Sequence, residues 1–129
     1  MSNREYIAYE GEKYIIEWFF TQDGKSPALE YYTMLDRVQK IKLLMLFKRM
    51  GDFGKIIDKT KFNNEDDKIY AFKPQPDRFL CFFVQQKKII ITNTFCKKQP
   101  KLPPPNEKEQ ALNYKDDFEK RIKRGTYYE

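Results

Sequence analysis

Apolar and polar positions change rhythm several times along the chain, and each change marks an element. Residues 14–20 are dense in β-branched and aromatic side chains and run into Thr21-Gln22-Asp23-Gly24, a turn signal, which predicts a first strand. Ser26-Pro27 then offers a capping side chain and a proline suited to the first helical position, so a helix is predicted to about residue 36. A second helical stretch covers residues 37–50: Val38, Ile41, Leu44, Met45 and Phe47 recur at helical spacing with Lys40, Lys42, Lys48 and Arg49 between them, until Gly51 and Gly54 stop it. Neither Gly nor Pro interrupts residues 28–50, so one bent helix and a helical hairpin both fit.

The polar stretch 55–68, with Asn63-Asn64-Glu65-Asp66-Asp67, reads as a surface loop whose carboxylates are solvated. Strands are predicted over residues 69–73, 78–84 and 88–95, joined by Pro74-Gln75-Pro76-Asp77 and Gln85-Gln86-Lys87, connections short enough to require antiparallel hairpins. After a proline-rich break at residues 102–105, Asn106 with Glu109 three residues later opens a C-terminal helix. Ala111, Tyr114, Phe118 and Ile122 give it an apolar stripe, and Lys120, Arg121, Lys123 and Arg124 load its last turns with cations that suit the helix dipole. The expected architecture is α+β, one domain over residues 1–129 in the order β-α-α-β-β-β-α, with a four-stranded antiparallel sheet packed by helices. The last three strands are apolar on both faces. Helices cover one, and the other falls to the C-terminal helix or to a partner.

Composition adds a sign. Lys and Arg outnumber Asp and Glu by 25 to 19, for a net charge of +6 and a pI near 9.2, so an anionic partner is considered. No basic-then-apolar leader and no apolar run of membrane-spanning length is present, and the predicted pairing does not set Cys81 opposite Cys96. A cytoplasmic, reduced setting without a disulfide or a membrane is expected. The chain has no histidine, which excludes a Ser-His-Asp or Cys-His relay and any His-ligated metal, and it has no glycine-rich phosphate loop.

The strands concentrate the remaining candidates. If the first hairpin pairs Lys73 with Arg78 and the second pairs Arg78 with Asn93, these three form a polar, cationic row across one face. Lys97 falls on the same face, and Lys98 and Lys101 lie just beyond the strand end. Neighbouring cations repel, so the pair gains most when a phosphate lies between them; the alternative is two solvated side chains at a hairpin mouth. Tyr70, Tyr114, Tyr127 and Tyr128 are candidates for base stacking or proton transfer, or are packed aromatics.

Three segments carry a family resemblance: Ile69-Tyr70-Ala71-Phe72-Lys73, Asp77-Arg78-Phe79-Leu80-Cys81-Phe82-Phe83, and Ile89 to Lys98 with its Phe95-Cys96-Lys97-Lys98 ending. With the helix of alternating charge and Ala that follows, they resemble the phage-derived, HigB-like branch of the RelE/ParE toxin superfamily. The resemblance implies a RelE-like fold and a type II toxin that cuts messenger RNA on the ribosome without metal or cofactor. It also implies a cognate antitoxin with a helix-turn-helix domain, for which apolar positions on the sheet are available. Lys73 is then the candidate base, activated by its cationic neighbour; Arg78 stabilises the phosphorane; and Tyr70 stacks or donates a proton. Lys97, Lys98, Lys101 and Asn93 contact RNA. The family commonly shows Glu-Leu-Arg where this chain has Ala71-Phe72-Lys73, so an acidic residue is missing and a guanidinium has become an ammonium. That departure keeps open a non-catalytic basic binding module on the same fold, and the ParE side of the superfamily adds a third reading, a poison of DNA gyrase.

Overall fold

A computed structural model of the chain describes residues 4–97 and 105–129. The elements are β1 (Ile7–Glu10), β2 (Ile15–Trp18), α1 (Pro27–Thr33), α2 (Arg37–Phe53), β3 (Phe62–Asn64), β4 (Tyr70–Phe72), β5 (Asp77–Val84), β6 (Lys88–Cys96) and α3 (Pro105–Arg124). The α+β class is as expected, but the sheet among the described residues has six strands in the order β1-β2-β6-β5-β4-β3. The two extra strands, β1 and β3, are the sheet's edges. β3 is Phe-Asn-Asn, a composition poor in strand formers, and it pairs on one side only. The pairing of β2 with β6 is parallel, whereas the other four are antiparallel. The chain therefore runs from β2 to its neighbour β6 through a long crossover rather than a hairpin.

The two central helices are separate because Asp36 adopts an extended backbone and its carboxylate accepts the Gln39 N–H at 2.8 Å, a local N-cap that restarts the helix. Ser26 stands at the N-cap of α1, but its hydroxyl makes no capping bond and is buried without a partner. Gly54 ends α2 in the left-handed region at φ 82°, with its N–H on the Met50 carbonyl. Gly51 is not a stop. It lies inside α2, where its carbonyl accepts the N–H groups of Lys13 and Tyr14, and a Cβ on Gly11 would come within 2.3 Å of it.

Each face of the sheet has its own core. Under α1 and α2 pack Ile16, Trp18, Phe72, Phe79, Cys81, Ile89 and Ile91, met by Leu43, Leu46, Phe47 and Met50. Under α3 pack Phe19, Ile69, Ala71, Leu80, Phe82 and Ile90, met by Ala111, Phe118 and Tyr127. The expected apolar stripe of α2 is corrected by this packing. Of its members only Phe47 is buried, while Val38, Ile41 and Met45 lie on the opposite side of the helix at 62%, 46% and 66% exposure. Both cysteines are free, and Cys81 is buried so that its thiol titrates well above the usual range.

The C-terminal cations are not all solvated. Arg121 is buried and donates to the Phe20 carbonyl at 2.5 Å and to Asp117 at 2.7 Å, with its guanidinium over the Tyr127 ring. The Tyr127 hydroxyl accepts the Phe20 N–H at 3.0 Å, and the Tyr6 hydroxyl donates to the Tyr127 carbonyl at 3.2 Å. Tyr6, Arg121 and Tyr127 thus form a clasp around the end of β2. Among the described residues no helix is long and apolar enough to cross a membrane.

Candidate functional site

α3 fills only part of its face. Where the sheet runs out toward the β4–β5 hairpin, a cleft of about 660 Å³ opens between the strands and the first turn of α3. Strand alternation decides what lines it. Ala71 and Lys73 come from β4 and the residue after it, Arg78 and Leu80 from β5, Phe95 and Lys97 from the end of β6, and Asn63 and Glu65 from the β3 edge. Glu107 and Lys108 of α3 close the far side.

The hairpin that presents Arg78 is braced from behind. Asp77 is buried, accepts the Tyr31 hydroxyl at 2.5 Å and the Gln39 amide at 2.6 Å, and so pins the turn to both helices of the opposite face. Burial and the Asp77 carboxylate push the Tyr31 phenol far above its ordinary range. The Arg78 Nη1 donates to Gln75 Oε1 at 2.9 Å and to the carbonyls of Pro76 and Asp77. These three bonds use one nitrogen, and the rest of the guanidinium fork is what the side chain offers to a phosphate. Partial burial lowers the Arg78 pKa somewhat, opposed by Glu65 and Asp77, and an arginine in such a setting remains a cation.

Lys73 and Arg78 both line the cleft, as the predicted hairpin requires. The expected cationic pair is nevertheless not isolated: the Lys73 Nζ donates to the Lys59 carbonyl at 3.3 Å and lies 3.7 Å from Glu65 Oε2. Asn93 does not stand opposite Arg78. A register shift between Phe79 and Cys81 sets Phe95 there instead. Asn93 is buried beneath α3, where its amide donates to the carbonyl and carboxylate of Glu107 at 3.0 and 3.1 Å, so it anchors the helix rather than facing a ligand. Lys97 is exposed on the cleft. Lys98 and Lys101 lie outside the described residues.

The tyrosines are elsewhere. Tyr70 neighbours Ala71 and therefore projects through the other face, where it stacks on Phe62 and meets Phe83 edge-on. Tyr114 packs on Phe19, Tyr127 is buried, and the Tyr128 hydroxyl donates to Glu17. Residue patterns missed Glu65, Glu107 and Lys108, which join the site only once β3 pairs with β4 and α3 settles on β6. Glu65 follows a strand too polar to be seen, and Glu107 is one acidic residue in a charged first helical turn. Among the described residues the lining holds four cations, Lys73, Arg78, Lys97 and Lys108, against two carboxylates, Glu65 and Glu107, and Lys108 is paired with Asp67 at 2.7 Å. A surplus of cations in such a cleft favours an anionic ligand.

The family model Phage derived protein Gp49-like (DUF891) matches residues 30–116, more than half of the chain. The chain belongs to this family. The matched segment holds every cleft-lining residue of this Gp49-like protein, whereas β1, β2 and the clasp through Arg121 and Tyr127 lie outside it. A search of the curated proteins returns no match.

Proposed function

We propose that this Gp49-like protein is the toxin of a type II toxin–antitoxin system and that it cleaves messenger RNA bound to the ribosome. The observation that carries the reading is the cleft itself, which sets Lys73, Arg78 and Lys97 from three successive strands beside a carboxylate and an aromatic edge at Phe95. RNA contains its own nucleophile. Attack of a 2′-hydroxyl on the adjacent phosphate needs alignment, proton transfer and stabilisation of the phosphorane charge, all of which side chains supply without a metal. Arg78 holds the equatorial oxygens, Lys97 grips a flanking phosphate, and Lys73 and its carboxylate neighbour handle protons. A cytoplasmic location follows from the target. The antitoxin, expected to carry a helix-turn-helix domain, is offered the exposed apolar side of α2 rather than the sheet, because helices cover the apolar part of each sheet face.

One observation favours a second reading. The Lys73 amine is already engaged by the Lys59 carbonyl and Glu65, which suits a basic binding module that has no catalytic step. Primer extension on a reporter messenger RNA after brief induction separates the two. New 5′ ends in codon phase with wild type, absent with Arg78→Ala, are the expected result. Growth arrest with intact RNA would overturn the nuclease reading in favour of the binding module or of a gyrase poison.

A further inference from the structure

We infer that Glu65 is the general base of the cleft and Lys73 its general acid, an assignment that rests on the nuclease reading above and reverses the role first expected of Lys73. The backbone of Glu65 is fixed one residue past β3, its N–H donating to the Ile69 carbonyl at 2.7 Å. From there one carboxylate oxygen, Oε2, accepts the Asn63 amide at 3.4 Å and reaches to 3.7 Å from the Lys73 Nζ. Asn63 pairs with Ala71 across the β3–β4 ladder, so Asn63, Glu65, Ala71 and Lys73 share the cleft face. The strand that lacks an acid of its own borrows one from its edge neighbour.

The alternatives are few. Of the two carboxylates among the described lining residues, Glu107 is held by the buried Asn93 amide at 3.1 Å, whereas Glu65 has the longer 3.4 Å contact from Asn63 and lies beside the Lys73 amine. Its contact with Lys73 is longer than a hydrogen bond, and in the proposed complex the two long side chains swing apart so that Glu65 meets the attacking oxygen and Lys73 the leaving one. Glu65 then takes the 2′-hydroxyl proton as the 2′-oxygen bonds to phosphorus. As the bond from phosphorus to the 5′-oxygen breaks, Lys73 protonates that oxygen. The products are a 2′,3′-cyclic phosphate and a 5′-hydroxyl. Once they leave, Glu65 returns its proton to Lys73, and the pair is restored with no water, metal or redox partner consumed.

The test uses single-turnover cleavage on ribosomes programmed with a synthetic messenger RNA, the cut linkage being mapped first with wild type. A second messenger carries sulfur in place of the 5′-bridging oxygen at that linkage, since a thiolate departs without a proton whereas an alkoxide does not. Glu65→Gln, which preserves shape and removes the base, is expected to slow cleavage of both messengers by about 10²–10⁴-fold. Lys73→Ala is expected to be comparably slow on the oxygen linkage and to recover on the sulfur one. Melting curves confirm that each variant is folded. Glu65→Gln cutting at the wild-type rate, or recovering with sulfur, overturns the assignment while leaving the nuclease standing. Wild type that leaves the messenger uncut overturns the nuclease itself and the assignment with it.

Discussion

β4, β5 and β6 present two faces to two different fates. Toward α1 and α2 they turn Phe72, Phe79, Cys81, Ile89 and Ile91, all buried in one aromatic-rich layer that the two helices cover. Toward α3 the same strands turn Ala71, Leu80 and Ile90 at the covered end, then Lys73, Arg78, Phe95 and Lys97 where the helix falls short. One strand thus carries stability and chemistry on alternate residues, and a change of one position moves a side chain from one task to the other. The closed face also serves the open one, because Tyr31 and Gln39 reach from the helices to hold the hairpin that aims Arg78.

Adjacent residues of β5 give the sharpest contrast. Phe79→Ala empties a fully buried ring site and should cost about 3–5 kcal/mol in urea unfolding. Arg78→Ala, next along the strand but on the open face, should slow messenger cleavage by about 10²–10³-fold, roughly 2.7–4 kcal/mol in barrier. Its effect on urea unfolding should be far smaller than that of Phe79→Ala. If both variants lost stability alike, the division of labour between the faces would be wrong.

Tyr127→Phe probes the covered end of the α3 face. The variant loses the bond from the Phe20 N–H and should fall by about 1 kcal/mol at neutral pH. Burial raises the Tyr127 phenol far above its ordinary range, with the Phe20 N–H and Arg121 opposing. The unfolded phenol ionises first, near pH 10, so unfolding releases a proton there, and the stability present below that pH declines as pH rises. Thermal melts from pH 9 to 11 should show a smaller alkaline loss in Tyr127→Phe than in wild type. The smallest effect belongs to Met45→Glu on the exposed side of α2, which should change urea stability by no more than about 0.5 kcal/mol. If the antitoxin docks there, titration calorimetry of the purified pair should register weaker binding by this variant.

Much of the β4–β6 meander was legible in the residues, because apolar runs bounded by Pro and Gln-rich turns leave little choice of hairpin. Lys73, Arg78 and Lys97 could therefore be placed on one face by counting. Asn93 lies on that face too, but its partner could not be read, since the register of the β5–β6 ladder, irregular beside Phe79, sets Phe95 opposite Arg78 and leaves Asn93 under α3. Glu65 escaped for a related reason: β3 is an edge strand held by its neighbour, and a sequence of Phe-Asn-Asn has no intrinsic preference that reveals it. α2 misled differently. It carries apolar residues on two opposite sides, and periodicity alone does not say which side meets the sheet. Arg121 looked like one more cation at a helix end, although its bonds to Phe20 and Asp117 make it part of a core.

The clasp between Tyr6 and Tyr127 also sets a clock. The two residues are 121 positions apart, roughly 6–24 s of translation at 5–20 residues per second. For most of that interval Phe19 and Phe20 stand without the tyrosine and arginine that seal them. A protein that attacks translating ribosomes by the proposed route thus cannot close the core beneath α3 until Tyr127 has been made.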